Sequence, residues 1–453
     1  MKRIVEHRIY GKGIVLRERY GGEQLYVKFQ DDIERWVNFK NVSFSSREFN
    51  NNGKIDPISG DINSQLFETT VVNNITEKNH PYKRFISRLI IESLRMGIFP
   101  EKFVREFTFG RDDELNFIKD WLNESNEGAL IISGEYGIGK THLLDFLKSK
   151  LVEEYWAISM IQFDSVSLPL NKPKIIYENM INNFKYKNGN FKDFLEELVS
   201  SERVSLIENH NYLNVMINRI RNRTDHNSCW LWIKGKLHNT GSQIGLPPIY
   251  TYATAANIFC YILSGIGYAL KEVLNYKGLV LLFDEAENID PYWYTSYQRE
   301  KGWNFLKGLI LMANNSDFLL NENINQIISK NEITIEHWGE KSELQYYYRR
   351  PLRYLYAIPC GIKLIFAFTY NKALFNMNLF KNLKKFRLES LDKDALEKIA
   401  LKISELYKLA YNLKNLIPLN FSFLNETLNL DSVRMYIKGV VEYLDLKRFN
   451  SKK

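Results

Sequence analysis

Gly134-Glu135-Tyr136-Gly137-Ile138-Gly139-Lys140-Thr141 satisfies the pattern GxxxxGK[ST] at every fixed position. Each residue type there answers to a phosphate. Glycines let the backbone close around an anion so that successive N–H groups face its oxygens, and a helix starting directly after the loop adds positive potential at its N-terminus. The lysine ammonium reaches the β- and γ-phosphates, and the hydroxyl after it ligates Mg²⁺. The spacing therefore assigns Gly134, Glu135, Tyr136, Gly137, Ile138, Gly139, Lys140 and Thr141 to ATP-Mg²⁺, with Lys140 on the phosphates and Thr141 on the metal. His142 follows at once and counts among the nucleotide's neighbours, although its position suits packing on the helix better than catalysis.

A second chemical pattern lies far downstream. Gly278-Leu279-Val280-Leu281-Leu282-Phe283 is an apolar run that ends in two adjacent carboxylates, Asp284 and Glu285. Ligands of open α/β sheets bind outside the carboxyl ends of the strands, which is where such a run delivers its acids. Asp284 is expected to hold Mg²⁺ through water and Glu285 to polarise the attacking water as general base. The plainer alternative makes both residues surface acids capping the next helix. Lys140 in the same chain favours the catalytic reading.

Such residues need elements to hold them. Ala129-Leu130-Ile131-Ile132 predicts a short buried strand running into the loop, and His142–Lys150 predicts an amphipathic helix after it. Leu279–Phe283 and Leu364–Phe368 are two further all-apolar strands of the kind buried on both faces of a parallel sheet. The fold class that follows is α/β, a P-loop NTPase core with a parallel sheet, assigned to residues 107–388. Between its first and second strands lie about 145 residues that read mostly as helix. Residues 313–345 are Asn-rich and weakly periodic, an irregular insertion.

Residues 1–48 alternate β-branched or aromatic residues with charged ones between Gly and Asp turn signals, which predicts four or five strands and a small SH3-like β-barrel. Residues 49–80 have linker composition. A helical connector is expected over 81–106, with Phe85, Leu89, Ile90 and Leu94 on one face, and a helical lid over 389–453.

A chain of 453 residues with 45% hydrophobic and 25% charged residues has the balance of a soluble protein of about three domains. The net charge of +8 permits a nucleic-acid partner without requiring one. Cys229, Cys260 and Cys360 are too scattered for a zinc ribbon or disulfide framework, and a reducing cytoplasm suits them best. The N-terminus carries no pattern of a secretion signal. Ala253–Leu270 is uncharged over 18 residues, yet its Thr, Asn, Ser and Gly content predicts a buried helix and no membrane span. Lys372–Arg387 carries five basic residues and three phenylalanines without an acid. That composition fits either a single-stranded nucleic-acid groove or a lid-linker helix with a solvated basic face.

Gly110-Arg111-Asp112-Asp113-Glu114-Leu115 resembles the GRxxEL box of origin-recognition-type and STAND-type AAA+ ATPases, and that resemblance implies that Arg111 lies near the adenine. Residues 82–447 resemble the BREX-system ATP-binding domain family of bacterial phage-defence islands. The likeness runs through LIISGEYGIGKTHLLDFL, FDSVSLPLNKPKIIYENM, GLVLLFDEAENI and SVRMYIKGVVEYLDLKRF in order. It implies an intracellular ATPase that works with other defence proteins, with DNA as a candidate ligand and ATP-dependent homo-oligomers as the expected assembly of an AAA+-like chain. It also implies a sensor 1 role for Thr369 at a strand end and a sensor 2 role for Arg434 on a lid helix. The Asn-rich 313–345 segment and the arginines of Tyr346–Tyr354 depart from the family pattern, so the arginine finger stays open among Arg349, Arg350 and Arg353. The first segment is similar to the Tudor-like domain of superfamily-1 repair helicases through His7, Tyr10–Gly13 and Val27–Phe29, which implies protein or nucleic-acid contacts. Two other functions fit the same motifs: an ATP-bound scaffold that does not hydrolyse, which would not need Glu285, and an initiator- or transposition-type ATPase loaded on DNA.

Overall fold

A computed structural model of the chain describes strands within residues 4–44 and, from 80 to 450, all residues except 125, 223–225, 237–245, 247–252, 290–292, 321–343, 345–352, 371–377 and 429. The chain divides into two units, residues 1–70 and 71–453.

In the first unit, β1 (Ile4–His7), β2 (Gly11–Arg19), β3 (Gln24–Phe29), β4 (Glu34–Asn38) and β5 (Val42–Phe44) form an antiparallel sheet in the order β4-β3-β2-β1-β5. A register shift between Val15 and Arg17 marks a bulge that bends β2. Val27 on β3, an interior strand, is fully buried. The expected strands are present, but β4 and β5 stand at opposite edges, so the described pairings make a sheet and do not define a closed barrel. The expected linker of residues 49–80 lies outside the described residues except for His80.

The second unit is built on a seven-stranded sheet, in the order β12-β6-β11-β10-β7-β8-β9. Its strands are β6 (Ala129–Gly134), β7 (Trp156–Gln162), β8 (Lys185–Tyr186), β9 (Gly189–Asn190), β10 (Gly278–Asp284), β11 (Ile362–Thr369) and β12 (Lys384–Arg387). The first five in that order run parallel, and β8 and β9 add a short antiparallel hairpin at one edge. The sheet is therefore mixed and mostly parallel, which is compatible with a P-loop NTPase core.

Strand periodicity explains why the apolar runs are continuous. Leu279, Leu281 and Phe283 face one core, while Val280 and Leu282 face the other. Successive side chains point to opposite faces, so a sheet covered on both sides needs apolar residues at every position. One face is covered by α2 (Asp112–Glu124) and α3 (Lys140–Glu153) through Ile118, Trp121, Leu144 and Leu147. The other face takes α4 (Pro173–Asn182), α5 (Phe191–Ser200), α6 (Leu213–Arg221), α7 (His226–Ile233), α8 (Ala253–Tyr268) and α9 (Ser296–Ala313). The uncharged stretch is α8, and its Ile258, Phe259, Ile262 and Ile266 are fully buried in this core. Among the described residues no helix is long and apolar enough to cross a membrane.

Four strands of this sheet, β7, β8, β9 and β12, were not read from the sequence. β7 lies within the stretch expected to be helical; its Ser159 is buried because the hydroxyl donates to Met180 O at 2.7 Å. β12 lies inside the basic stretch Lys372–Arg387, where a helix or a nucleic-acid groove was expected. The chain there makes a single turn, Asn378–Lys381, and then an edge strand beside β6. Phe380 is fully buried and Phe386 stacks on Phe117 at 5.1 Å, while Lys384, Lys385 and Arg387 stay exposed. Charged side chains on an edge strand discourage further pairing.

The C-terminal helices are α10 (Lys393–Tyr411), α11 (Phe421–Thr427) and α12 (Val433–Asn450). They share one core with α1 (His80–Arg95): Ile90, Ile91 and Leu94 pack among Leu396, Ile403, Tyr436, Val440 and Leu444. Arg95 pairs with Asp445, which also accepts from the Tyr407 hydroxyl at 2.6 Å. The segment expected as a connector and the segment expected as a lid are packed as one helical body.

Candidate functional site

The sheet order brings together residues that are far apart in sequence. β11 lies between β6 and β10, so Gly134, Thr369 and Asp284 all fall at the same end of the sheet, with Thr369 in register with Gly134. The loop leaving β6 turns sharply at two glycines, Gly137 (φ +83°) and Gly139 (φ +109°). Both lie in the left-handed region that glycine adopts without steric cost. At Gly137 a β-carbon would also sit 2.4 Å from Ser432 Oγ, so the P-loop closes against the start of α12 with no room for a side chain. Gly139 has nothing within 4 Å of where a β-carbon would be, which leaves its side open to the cleft. No side chain caps the start of α3. Its first-turn N–H groups, which have no intrahelical partner, face the place an anion would take.

Lys140 begins that helix, and its ammonium donates to the Gly134 and Glu135 carbonyls at 2.9 and 3.0 Å. Burial pulls its pKa down, opposed by Glu287, Glu285 and Asp284. The Thr141 hydroxyl donates to Asp284 Oδ2 at 2.8 Å, tying the P-loop helix to the end of β10. Asp284 is 2% exposed, and burial raises its pKa against the lowering effect of the Thr141 bond. A hydroxyl and a carboxylate oxygen meeting at one point are hard donors of the type Mg²⁺ takes, and Mg²⁺ needs only one or two protein oxygens when phosphates supply others.

Glu285 follows with φ +52°, a left-handed conformation that a non-glycine residue holds only when its surroundings impose it. Burial first, then Glu287 and Asp284, raise its pKa, with Lys140 opposing. Glu287 was not singled out from the sequence. Its Oε2 accepts the Thr369 N–H at 3.0 Å, and its charge acts on Glu285 nearby. Thr369 is thus fixed by its backbone at the edge of the cleft. Glu287 could be placed only once the turn Ala286–Ile289 folds it back under β11.

Arg434, on the first turn of α12, reaches the P-loop in two ways. Its backbone N–H donates to Gly137 O at 3.2 Å, and its guanidinium donates to the Tyr136 hydroxyl while lying 5.0 Å from that ring's centroid. Arg111 is 7% exposed and its guanidinium is engaged by protein groups: Glu114 Oε1 at 2.7 Å, Glu389 O at 2.7 Å and Ile138 O at 3.0 Å. It therefore fastens the P-loop to the segment that leads into α10. His142 packs on Phe99 at 4.7 Å and pairs through Nε2 with Thr108 Oγ1 at 2.9 Å; burial and the nearby Arg111 lower its pKa to about 4, so it stays neutral.

Of these groups Arg111, Gly137, Gly139, Lys140, Thr141, His142, Glu285, Thr369 and Arg434 line a cleft of about 210 Å³. One side of it is polar, made by Tyr136 to Thr141, Glu285, Thr369 and Arg434. Its other wall is apolar, from Ile98, Phe99, Phe107, Phe109, Leu391 and Val433. Asp145, one turn after Thr141, also lines it, and burial next to Glu101 pushes its carboxyl up to about 6 against the opposing Lys148. The sequence signal for Asp145 was its i+4 spacing from Thr141. The apolar wall had no local signal, because it is assembled from the segment between α1 and α2 and from the C-terminal helical region. Arg349 and Arg350 lie outside the described residues, while Arg353 is exposed.

Residues 83–227 match the family model of the BREX system ATP-binding protein BrxC/D. No curated protein matches the chain. The matched stretch takes in α1, Arg111 and the whole P-loop, and it ends before Asp284, Glu285, Thr369 and Arg434. Over that stretch it supports the family resemblance read from the sequence and the ATP-binding function that the family's description carries.

Proposed function

We propose that this chain binds ATP-Mg²⁺ in the cleft at the ends of β6, β10 and β11 and hydrolyses it as an AAA+-like component of a BREX-type phage-defence system. The observation that carries the reading is the meeting of Thr141 with Asp284 at 2.8 Å, with Glu285 beside them and Lys140 on the same helix turn. Thr141 and Asp284 would hold Mg²⁺, which supplies charge neutralisation on the phosphates. Lys140 and the α3 N–H groups hold the phosphates, and Glu285 takes the proton of the attacking water. Placement of β11 between β6 and β10, with Thr369 held by Glu287, supports the sensor 1 role. Contact of Arg434 with the P-loop supports a sensor 2 role. Arg111 supports the cradle and acts through the Ile138 carbonyl.

Purified chain should release phosphate from ATP in the presence of Mg²⁺ and stop when the metal is chelated. ATP binding with no turnover in any divalent metal would move the reading to a non-hydrolysing scaffold that organises defence partners.

In this reading partner proteins of the defence system and a second copy of the chain act on the nucleotide cycle, and the antiparallel sheet of residues 4–44 serves protein or nucleic-acid contacts. DNA would be met by the exposed base of the sheet edge: Lys381, Lys384 and Lys385 are all exposed, and Lys384 lies over Phe117 at 5.1 Å. Phosphate contacts release counterions, so log K should fall by roughly 0.9 per neutralised phosphate for each tenfold rise in salt on duplex DNA. Reversing Lys381, Lys384 and Lys385 to Glu is expected to weaken DNA binding and flatten its salt dependence while leaving ATP affinity alone. A titration of wild type and triple variant at two salt concentrations, with and without ATP, checks this. Binding indifferent to salt and to the substitutions leaves the edge strand as a solvated, pairing-resistant border.

A further inference from the structure

Tyr136 occupies one of the variable positions of the GxxxxGK[ST] loop. It is a large aromatic residue, 65% exposed, between Glu135 and the left-handed Gly137, and it lines the cleft on the polar side. Its ring and hydroxyl both address one cation. Arg434 Nη1 donates to the phenol oxygen, and the guanidinium carbon lies 5.0 Å from the ring centroid. Among the described residues Arg434 has no carboxylate partner. Its backbone is fixed independently, by its N–H on Gly137 O at 3.2 Å and by the close approach of Ser432 to Gly137. Gly97 makes room for its stem on the other side: a β-carbon there would sit 2.6 Å from Arg434 Cγ. The helix start is thus anchored, the stem has a slot, and among the described residues the charged end rests on a phenol.

We propose that Tyr136 is a holding residue for Arg434, keeping its guanidinium at the rim of the phosphate cradle and yielding it to the terminal phosphate of a bound nucleoside triphosphate. This inference rests on the nucleotide reading of the cleft. A phenol offers a neutral acceptor and a π face, an attraction of modest size. A phosphate oxygen offers a charge-assisted, bidentate-capable partner, roughly twice as strong as a neutral one. The exchange therefore runs toward phosphate when the third phosphate is present and back toward Tyr136 when it is gone. Anchoring of the backbone at Gly137 means the swap needs only side-chain rotation. Tyr136 would then act as a positioning residue that sets how strongly the site, through Arg434, distinguishes ATP from ADP.

A double-mutant cycle on the full chain tests it, with ATP and ADP titrated calorimetrically into wild type, Tyr136→Phe, Arg434→Gln and the double variant. Phenylalanine keeps the ring and removes only the competing hydroxyl from an exposed position, so folding is not at stake. Tyr136→Phe should tighten ATP by on the order of three- to tenfold, the size of one ordinary net hydrogen bond, and leave ADP unchanged. Arg434→Gln should lose the preference for ATP, and adding Tyr136→Phe to it should change nothing further. Equal effects of Tyr136→Phe on ATP and ADP, or an effect that persists without Arg434, would overturn the proposal, since the tyrosine would then be acting on the loop itself. A wild-type protein that binds ATP but shows no change in Tyr136→Phe overturns this proposal alone. A wild-type protein that binds neither nucleotide overturns the nucleotide reading as well.

Discussion

Lys140→Ala should reduce ATP affinity by at least ~10²-fold, beyond the range of an ordinary calorimetric titration, while the fold stays intact. The ammonium is held at the mouth of the cradle by two carbonyls of its own loop, Gly134 O and Glu135 O. It also faces three acids, Glu287, Glu285 and Asp284, which without it would leave a net-negative site toward a polyanion. Truncation thus removes a charge-assisted donor and exposes the phosphates to uncompensated carboxylates. Its cost to stability should be small, because the two bonds lost are at the partly exposed end of the helix and the carbonyls regain water. ATP affinity equal to wild type would mean that nucleotide binds elsewhere, and the assignment of residues 134–141 would fall.

The P-loop was legible because its glycines answer a local backbone demand. Gly137 and Gly139 have positive φ, and the strand before and the helix after are each specified within about ten residues. Asp284 and Glu285 were legible for the same reason: an apolar run on a strand buried on both faces announces where its end falls. Contacts made by tertiary packing were not. Tyr136 and Arg434 meet across 298 positions, and Ile90 reaches Val440 only because α1 folds into the lid's core. Arg111 lies in a recognisable box, yet its use, bridging Ile138 O and Glu389 O, depends on two loops brought together by the fold. The edge strand β12 was hidden by composition. Lys384-Lys385-Phe386-Arg387 has one apolar residue in four, which is what a strand looks like when only one side chain packs and the rest guard an edge.

Glu285→Gln is expected to leave ATP-Mg²⁺ affinity within experimental error and to lower the hydrolysis rate by ~10²–10³-fold. Two carboxylates compete for the role of base, and the geometry separates them. Glu287 is committed to structure: its Oε2 accepts the Thr369 N–H at 3.0 Å, and it does not line the cleft. Glu285 lines the cleft, and burial together with the charges of Glu287 and Asp284 raises its pKa, which makes its ionised form a stronger proton acceptor than a free carboxylate. Its left-handed backbone, φ +52°, aims the side chain from the strand end, and a glutamine keeps both that backbone and the side-chain shape while losing the basic oxygen. The loss therefore falls on the transition state, where a proton moves, and not on the bound ground state. Glu287→Gln makes the control, because an amide oxygen still accepts the Thr369 N–H and the expected loss is much smaller. Single-turnover phosphate release by wild type and both variants, beside calorimetric ATP titrations, separates the cases. Equal turnover in wild type and Glu285→Gln would show that the base lies elsewhere, and a larger loss in Glu287→Gln would give that role to Glu287.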